Sequence, residues 1–76
     1  MKLYIITRKP DDGFAQYDAN FAMVVRAETP RAARVLASTN VGDEGTEPWL
    51  RAEHSTVREL RADGREEIVL TEGRWM

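Results

Sequence analysis

His54 is the one histidine in the chain, and with Glu53 beside it the pair has the types needed for general-base chemistry. No Ser or Cys nucleophile stands near it in a strand-turn-helix setting, so the sequence gives His54 nothing to activate and reads it as a surface residue. Two stretches concentrate carboxylates next to glycine, Asp11-Asp12-Gly13 and Gly42-Asp43-Glu44-Gly45. A helix-loop-helix calcium loop needs oxygen ligands at alternate positions and a distal Glu, and neither stretch has that spacing, so both read as polar turns. No glycine-rich loop is followed by Lys-Ser or Lys-Thr, and no fingerprint of close glycines opens a helix, which removes the usual phosphate cradles. Catalytic, cofactor-binding and metal-ligating residues are therefore not assigned, and the chain is expected not to be an enzyme.

The remaining chemistry belongs to arginine. Nine of the eleven basic residues are Arg, a side chain suited to planar bidentate contacts, although a GC-rich genome gives the same excess. Arg31 and Arg34, joined by Arg26, Arg58, Arg61 and Arg65, would make a basic patch for nucleic acid if the fold gathered them. Glu28, Glu59, Glu66 and Glu67 are interleaved with them, and the net charge is -2, so a mixed solvated surface is the better reading and nucleic acid the lesser one. Trp49, Trp75 and Tyr17 have the rings to stack on bases, but such residues serve more often as core or loop anchors.

The elements that must position these residues follow from local signals. Leu3 to Thr7 is β-branched and aromatic and ends at Pro10-Asp11-Asp12-Gly13, which predicts a first strand and a turn. Phe21 to Ala27 predicts a second strand. Thr29 as N-cap and Pro30 in the first helical turn open an alanine-rich helix through Ala37, with Ala32, Ala33 and Leu36 expected inside and Arg31, Arg34 and Ser38 outside. Asn40 to Pro48 reads as a loop, with Trp49 and Leu50 as a hydrophobic plug. Ser55 to Leu60 is ambiguous between helix and strand. Asp63-Gly64 and the run Ile68-Val69-Leu70-Thr71 favour a hairpin. The predicted order is β-β-α-β-β: one α+β domain spanning residues 1–76, its four-stranded, mainly antiparallel sheet in spatial order 2-1-3-4 and one amphipathic helix on one face.

Composition agrees with such a domain. At 42% hydrophobic and 32% charged the chain is too apolar for a disordered segment, yet 76 residues give only a thin core. There is no cysteine, which suits a reducing compartment, and neither a signal-peptide core nor a stretch of about 20 apolar residues able to span a bilayer. A cytoplasmic protein that makes no use of the membrane is expected.

The first two strands do not alternate. Leu3-Tyr4-Ile5-Ile6 and Phe21-Ala22-Met23-Val24-Val25 put apolar side chains on both faces, and one short helix covers only one of them. Either the loops, with Phe14, Trp49 and Trp75, close the second face, or that face is a patch for a protein partner or a homodimer. Tyr4, Ile6, Tyr17, Val24, Trp49 and Trp75 are the interface residues this second reading selects.

The opening Met1-Lys2-Leu3-Tyr4-Ile5-Ile6, the Tyr17-Asp18 pair, the passage Val24-Val25-Arg26-Ala27-Glu28 into Ala32-Ala33-Arg34, and Trp49 ahead of the last predicted strands form a pattern. In it the chain resembles a group of short α+β proteins of actinobacterial phages and prophages, departing from them by Asn20-Phe21-Ala22-Met23 after the Tyr-Asp pair. The resemblance covers much of the chain and implies a context, since small accessory phage proteins commonly bind host replication, transcription or defence factors. It brings no catalytic residue. The reading that results is a non-enzymatic protein-interaction module, phage-encoded by the resemblance, that binds a host or phage protein or pairs as a homodimer. The alternative is a nucleic-acid-binding protein using Arg31 and Arg34.

Overall fold

The computed structural model describes residues 1–71. Three strands form one open antiparallel sheet: β1 (Lys2–Arg8), β2 (Ala22–Ala27) and β3 (Ser55–Glu59), in the order β2-β1-β3. Between β2 and β3 lie α1 (Pro30–Ala37) and the single turn α2 (Glu47–Leu50). The order of these three strands is the expected one, with β1 central. Ile6 pairs with Met23 on one side and Val57 on the other, and Ile5 with Val24 and Arg58.

The α1 start is set locally. Thr29 is extended and its Oγ1 accepts the Ala32 N–H at 3.1 Å, while Pro30 occupies a position whose missing N–H has no helical partner to lose. The inward face of α1 differs from the sequence reading. Ala33 and Ala37, one turn apart, are the fully buried positions, whereas Ala32, Val35 and Leu36 face outward, with Val35 and Leu36 about half exposed. Small side chains at 33 and 37 let the helix settle close on the sheet. Arg34, expected outside, reaches inward.

The core joins Tyr4, Ile6, Ala27, Ala33, Ala37 and Trp49, with Met23, Val25, Val41 and Val57 packed against it. All of it lies on the α1 face of the sheet. Two further corrections concern the C-terminal half. Ser55–Glu59 is a strand as read, but Ile68–Thr71 forms no strand, so the hairpin and the fourth strand are absent among the described residues. At the turn Arg61 bonds Asp63 at 2.9 Å and reaches Glu59. The chain then returns across the second face, where Arg58 donates to the Val69 carbonyl at 3.3 Å and pairs with Glu67. Ile5, opposite Arg58 and directed to that same face, is buried, so this face is partly closed beside β3 and remains open at Val24 on β2.

No helix among the described residues is long and apolar enough to cross a membrane.

Candidate functional site

Of the six interface residues named from the sequence, three are core. Tyr4 (4% exposed), Ile6 (0%) and Trp49 (0%) point toward α1, not toward a second face, because the strand period of two puts Tyr4 and Ile6 on the helix side with Val25 and Met23. A charge at Tyr4 or Ile6 would therefore unfold the domain rather than probe a surface. Tyr17 and Val24 are exposed, at 86% and 50%. Trp75 lies outside the described residues.

Three polar centres, each built around a buried or half-buried charge, hold the loops. At the end of β1, Arg8 and Asp12 form a bidentate pair, Nε to Oδ2 at 2.7 Å and Nη2 to Oδ1 at 2.8 Å, with both side chains almost wholly buried. Arg8 also donates to the Asn20 carbonyl and lies over the Phe21 ring, and Asp12 accepts the Phe14 N–H. The Arg8 guanidinium, acting against the opposing effect of burial, holds the Asp12 carboxyl below the ordinary aspartate value. The spacing of four residues across a Pro-Asp turn was the signal for this pair, and the sequence reading took Asp12 for a turn residue only.

The second centre is Glu44. Its Oε1 accepts the Gly42 N–H at 2.9 Å and the Asn20 N–H at 3.2 Å, and Oε2 accepts the Trp49 indole N–H at 2.9 Å. It draws segment 18–20 onto segment 40–45, a contact so close that a Cβ at Gly42 would collide with the Asp18 carbonyl oxygen. Of the carboxylates in the two acidic stretches, Asp12 and Glu44 are thus met by N–H donors.

The third centre is Arg34. Nη1 donates to the Trp49 carbonyl at 3.0 Å and to Ser55 Oγ at 2.7 Å, and Nη2 to the Ser55 carbonyl at 2.9 Å. Burial lowers its pKa from the ordinary guanidinium value. Arg34 ties α1 to α2 and to the edge strand β3, which takes it away from the helix surface that nucleic acid would meet. Arg31 is exposed, so the structure does not bring the two helix arginines together as a contact pair. His54 is half-buried with its ring edge-on to Phe14 at 5.0 Å.

What stays open is a flank. The Arg8 N–H donates to the Phe21 carbonyl at 2.9 Å, so Phe21, Met23, Val25 and Ala27 bond to β1, and by the antiparallel alternation Ala22, Val24 and Arg26 turn their N–H and C=O groups outward. No partner for these groups exists among the described residues. On α1, Ala32 and Leu36 each stand about two residues from Arg34, roughly 160–200° around the axis. Because Arg34 points to β3, they point to the β2 side. A bare strand edge and an apolar helix stripe therefore share one side of the molecule.

Comparison with protein-family models, with curated proteins and with solved structures returns no match to this chain.

Proposed function

We propose that the chain is a non-enzymatic protein-interaction module whose binding surface is the β2 edge together with the outer stripe of α1. The single observation that carries this reading is the coincidence of main-chain groups at Ala22, Val24 and Arg26, unpartnered among the described residues, with the exposed side chains of Ala32 and Leu36 on one flank. An open edge recruits a strand, and an apolar stripe beside it adds the buried area that main-chain bonds alone do not provide. The three charged centres support the same reading, since their donors and acceptors are used in holding loops and elements together. By the resemblance noted above, the setting is that of a phage accessory protein acting in the host cytoplasm on a host or phage protein.

The test is site-specific photocrosslinking from a benzophenone side chain placed at Leu36, with Tyr17 as the control position. Adducts to a polypeptide, whether this chain or another, that form at position 36 and not at 17 are the expected outcome. Equal or absent crosslinking at the two positions would overturn the assignment. The nucleic-acid reading loses its second contact residue with Arg34 turned inward, and no observation favours it.

A further inference from the structure

We infer that the occupant of this flank is a second copy of the same chain, joined edge to edge through β2 about a two-fold axis at Val24. This inference rests on the interaction reading above and commits it to one partner.

The argument begins with register. An antiparallel two-fold at an outward-facing residue pairs that residue with itself, so Val24 meets Val24 of the copy, Ala22 meets Arg26, and Arg26 meets Ala22. All three outward residues of β2 are used, and about six main-chain hydrogen bonds form. The side chains accept this register. Val24 pairs with a β-branched copy of itself, each Arg26 faces alanine rather than another arginine, and the half-buried Met23 and Val25 face one another on the helix side. No proline interrupts Ala22–Ala27, and Arg26 is the one charged residue on the strand.

The helix supplies the second half. α1 packs chiefly on β2, the strand next to the two-fold, so the pairing brings the two α1 helices side by side over the joined sheet. Ala32 and Leu36 then meet their own copies in antiparallel fashion, and the small side chain at 32 permits the approach. A foreign strand would satisfy the edge but leave the helix stripe bare. A second copy brings strand and helix already fixed in the required relation. The opposite edge fits less well: Arg34 holds the Ser55 carbonyl and the Ser55 N–H is bonded to Arg51, so only Val57 and Glu59 keep outward groups without a partner among the described residues, and the helix side above them is the polar one that carries Arg34.

Light scattering of the purified chain over a micromolar concentration series reads the state directly, and twice the chain mass is expected. Val24→Pro removes an outward N–H without touching the β1 ladder, and Leu36→Glu charges the stripe while leaving the edge intact. Each is expected to raise the dimer dissociation constant at least tenfold with an unchanged circular dichroism spectrum. Because the chain has no cysteine, Val24→Cys tests the register independently. The hydrogen-bonded pair sets the two Cα atoms about 5.5 Å apart, within disulfide range, so oxidation should link Val24→Cys chains while the opposite-edge control Thr56→Cys stays unlinked. A wild-type monomer throughout the series, a dimer indifferent to both Val24→Pro and Leu36→Glu, or equal linking of the two cysteine variants would overturn the inference. A monomer that still crosslinks to another protein from position 36 sinks this inference and leaves the interaction reading standing; a monomer with no position-36 adduct removes both.

Discussion

The two edges of one small sheet are finished differently, one capped at its start and the other bare along its length. At β3, Arg34 reaches across from α1 to take the Ser55 hydroxyl and carbonyl, α2 delivers the Trp49 carbonyl to the same guanidinium, and Glu44 fixes the Trp49 ring from behind. At β2, the outward groups of Ala22, Val24 and Arg26 meet nothing within the described residues, and the adjoining helix side is Ala32 and Leu36. Arg34 and the Glu44–Trp49 pair seal the start of β3, while Arg8 and Asp12 form a separate buried pair at the end of β1. The difference teaches that a chain with a thin core can spend its bonding groups unevenly and leave one side defined by what it lacks.

Breaking the sealed side should have the largest effect. Trp49→Ala empties a fully buried indole site and strands the Glu44 carboxylate, so a loss of about 3–5 kcal/mol in urea unfolding is expected, enough to unfold a domain of this size. Asp12→Asn leaves the buried Arg8 charge without its partner, for an expected loss of about 3–5 kcal/mol. This variant also carries a pH signature. The folded Asp12 pKa lies below the ordinary 3.8, so its stabilisation is complete above that value and is lost as pH falls through the lowered one. The acid limb of a stability-pH curve should flatten in Asp12→Asn relative to wild type.

Arg34→Met sharpens the comparison by opening β3 as β2 is open. It leaves the Ser55 and Trp49 acceptors unmet and should cost about 1–3 kcal/mol, read by the urea midpoint. At the small end, Tyr17→Ala and Leu36→Ser lie outside the core and should shift the monomer's unfolding free energy by no more than about 0.5 kcal/mol, so that any larger change seen only at high protein concentration reports association.

Local rules carried the sequence reading as far as they reach. Thr29-Pro30 marks the helix start because capping involves neighbours only, and the β-branched runs mark β1 and β2 because strand preference is a property of the segment. The failures share a different cause. Leu36 was placed inside by its hydrophobicity and Arg34 outside by its charge, yet the inward position at 34 is decided by carbonyls on α2 and β3, fifteen to twenty-one residues away. Tyr4 and Ile6 are assigned to an interface by the sequence because an unbroken apolar run does not say which face the helix will cover, and Trp49, open there to both plug and interface, is core. Ile68–Thr71 has the composition of a strand, but strand formation needs a ladder partner, and Arg58 instead holds Val69 over the second face. Asp12 and Glu44 were legible as turn residues and illegible as buried anchors, since their donors are set by tertiary contact.

The position of β1 has a consequence for how this chain is made. It precedes the other strands in synthesis and yet is the middle of the sheet, paired on one side to a strand that follows within about twenty residues and on the other to one that ends at Glu59. A nascent chain emerged through Ala37 owns the β1–β2 pair and α1, but neither Trp49, which fills the core, nor the strand that closes the far side of β1. For that interval the centre of the finished sheet is itself an exposed edge, flanked by Ile5 and Ile6, and completion waits on the synthesis of β3.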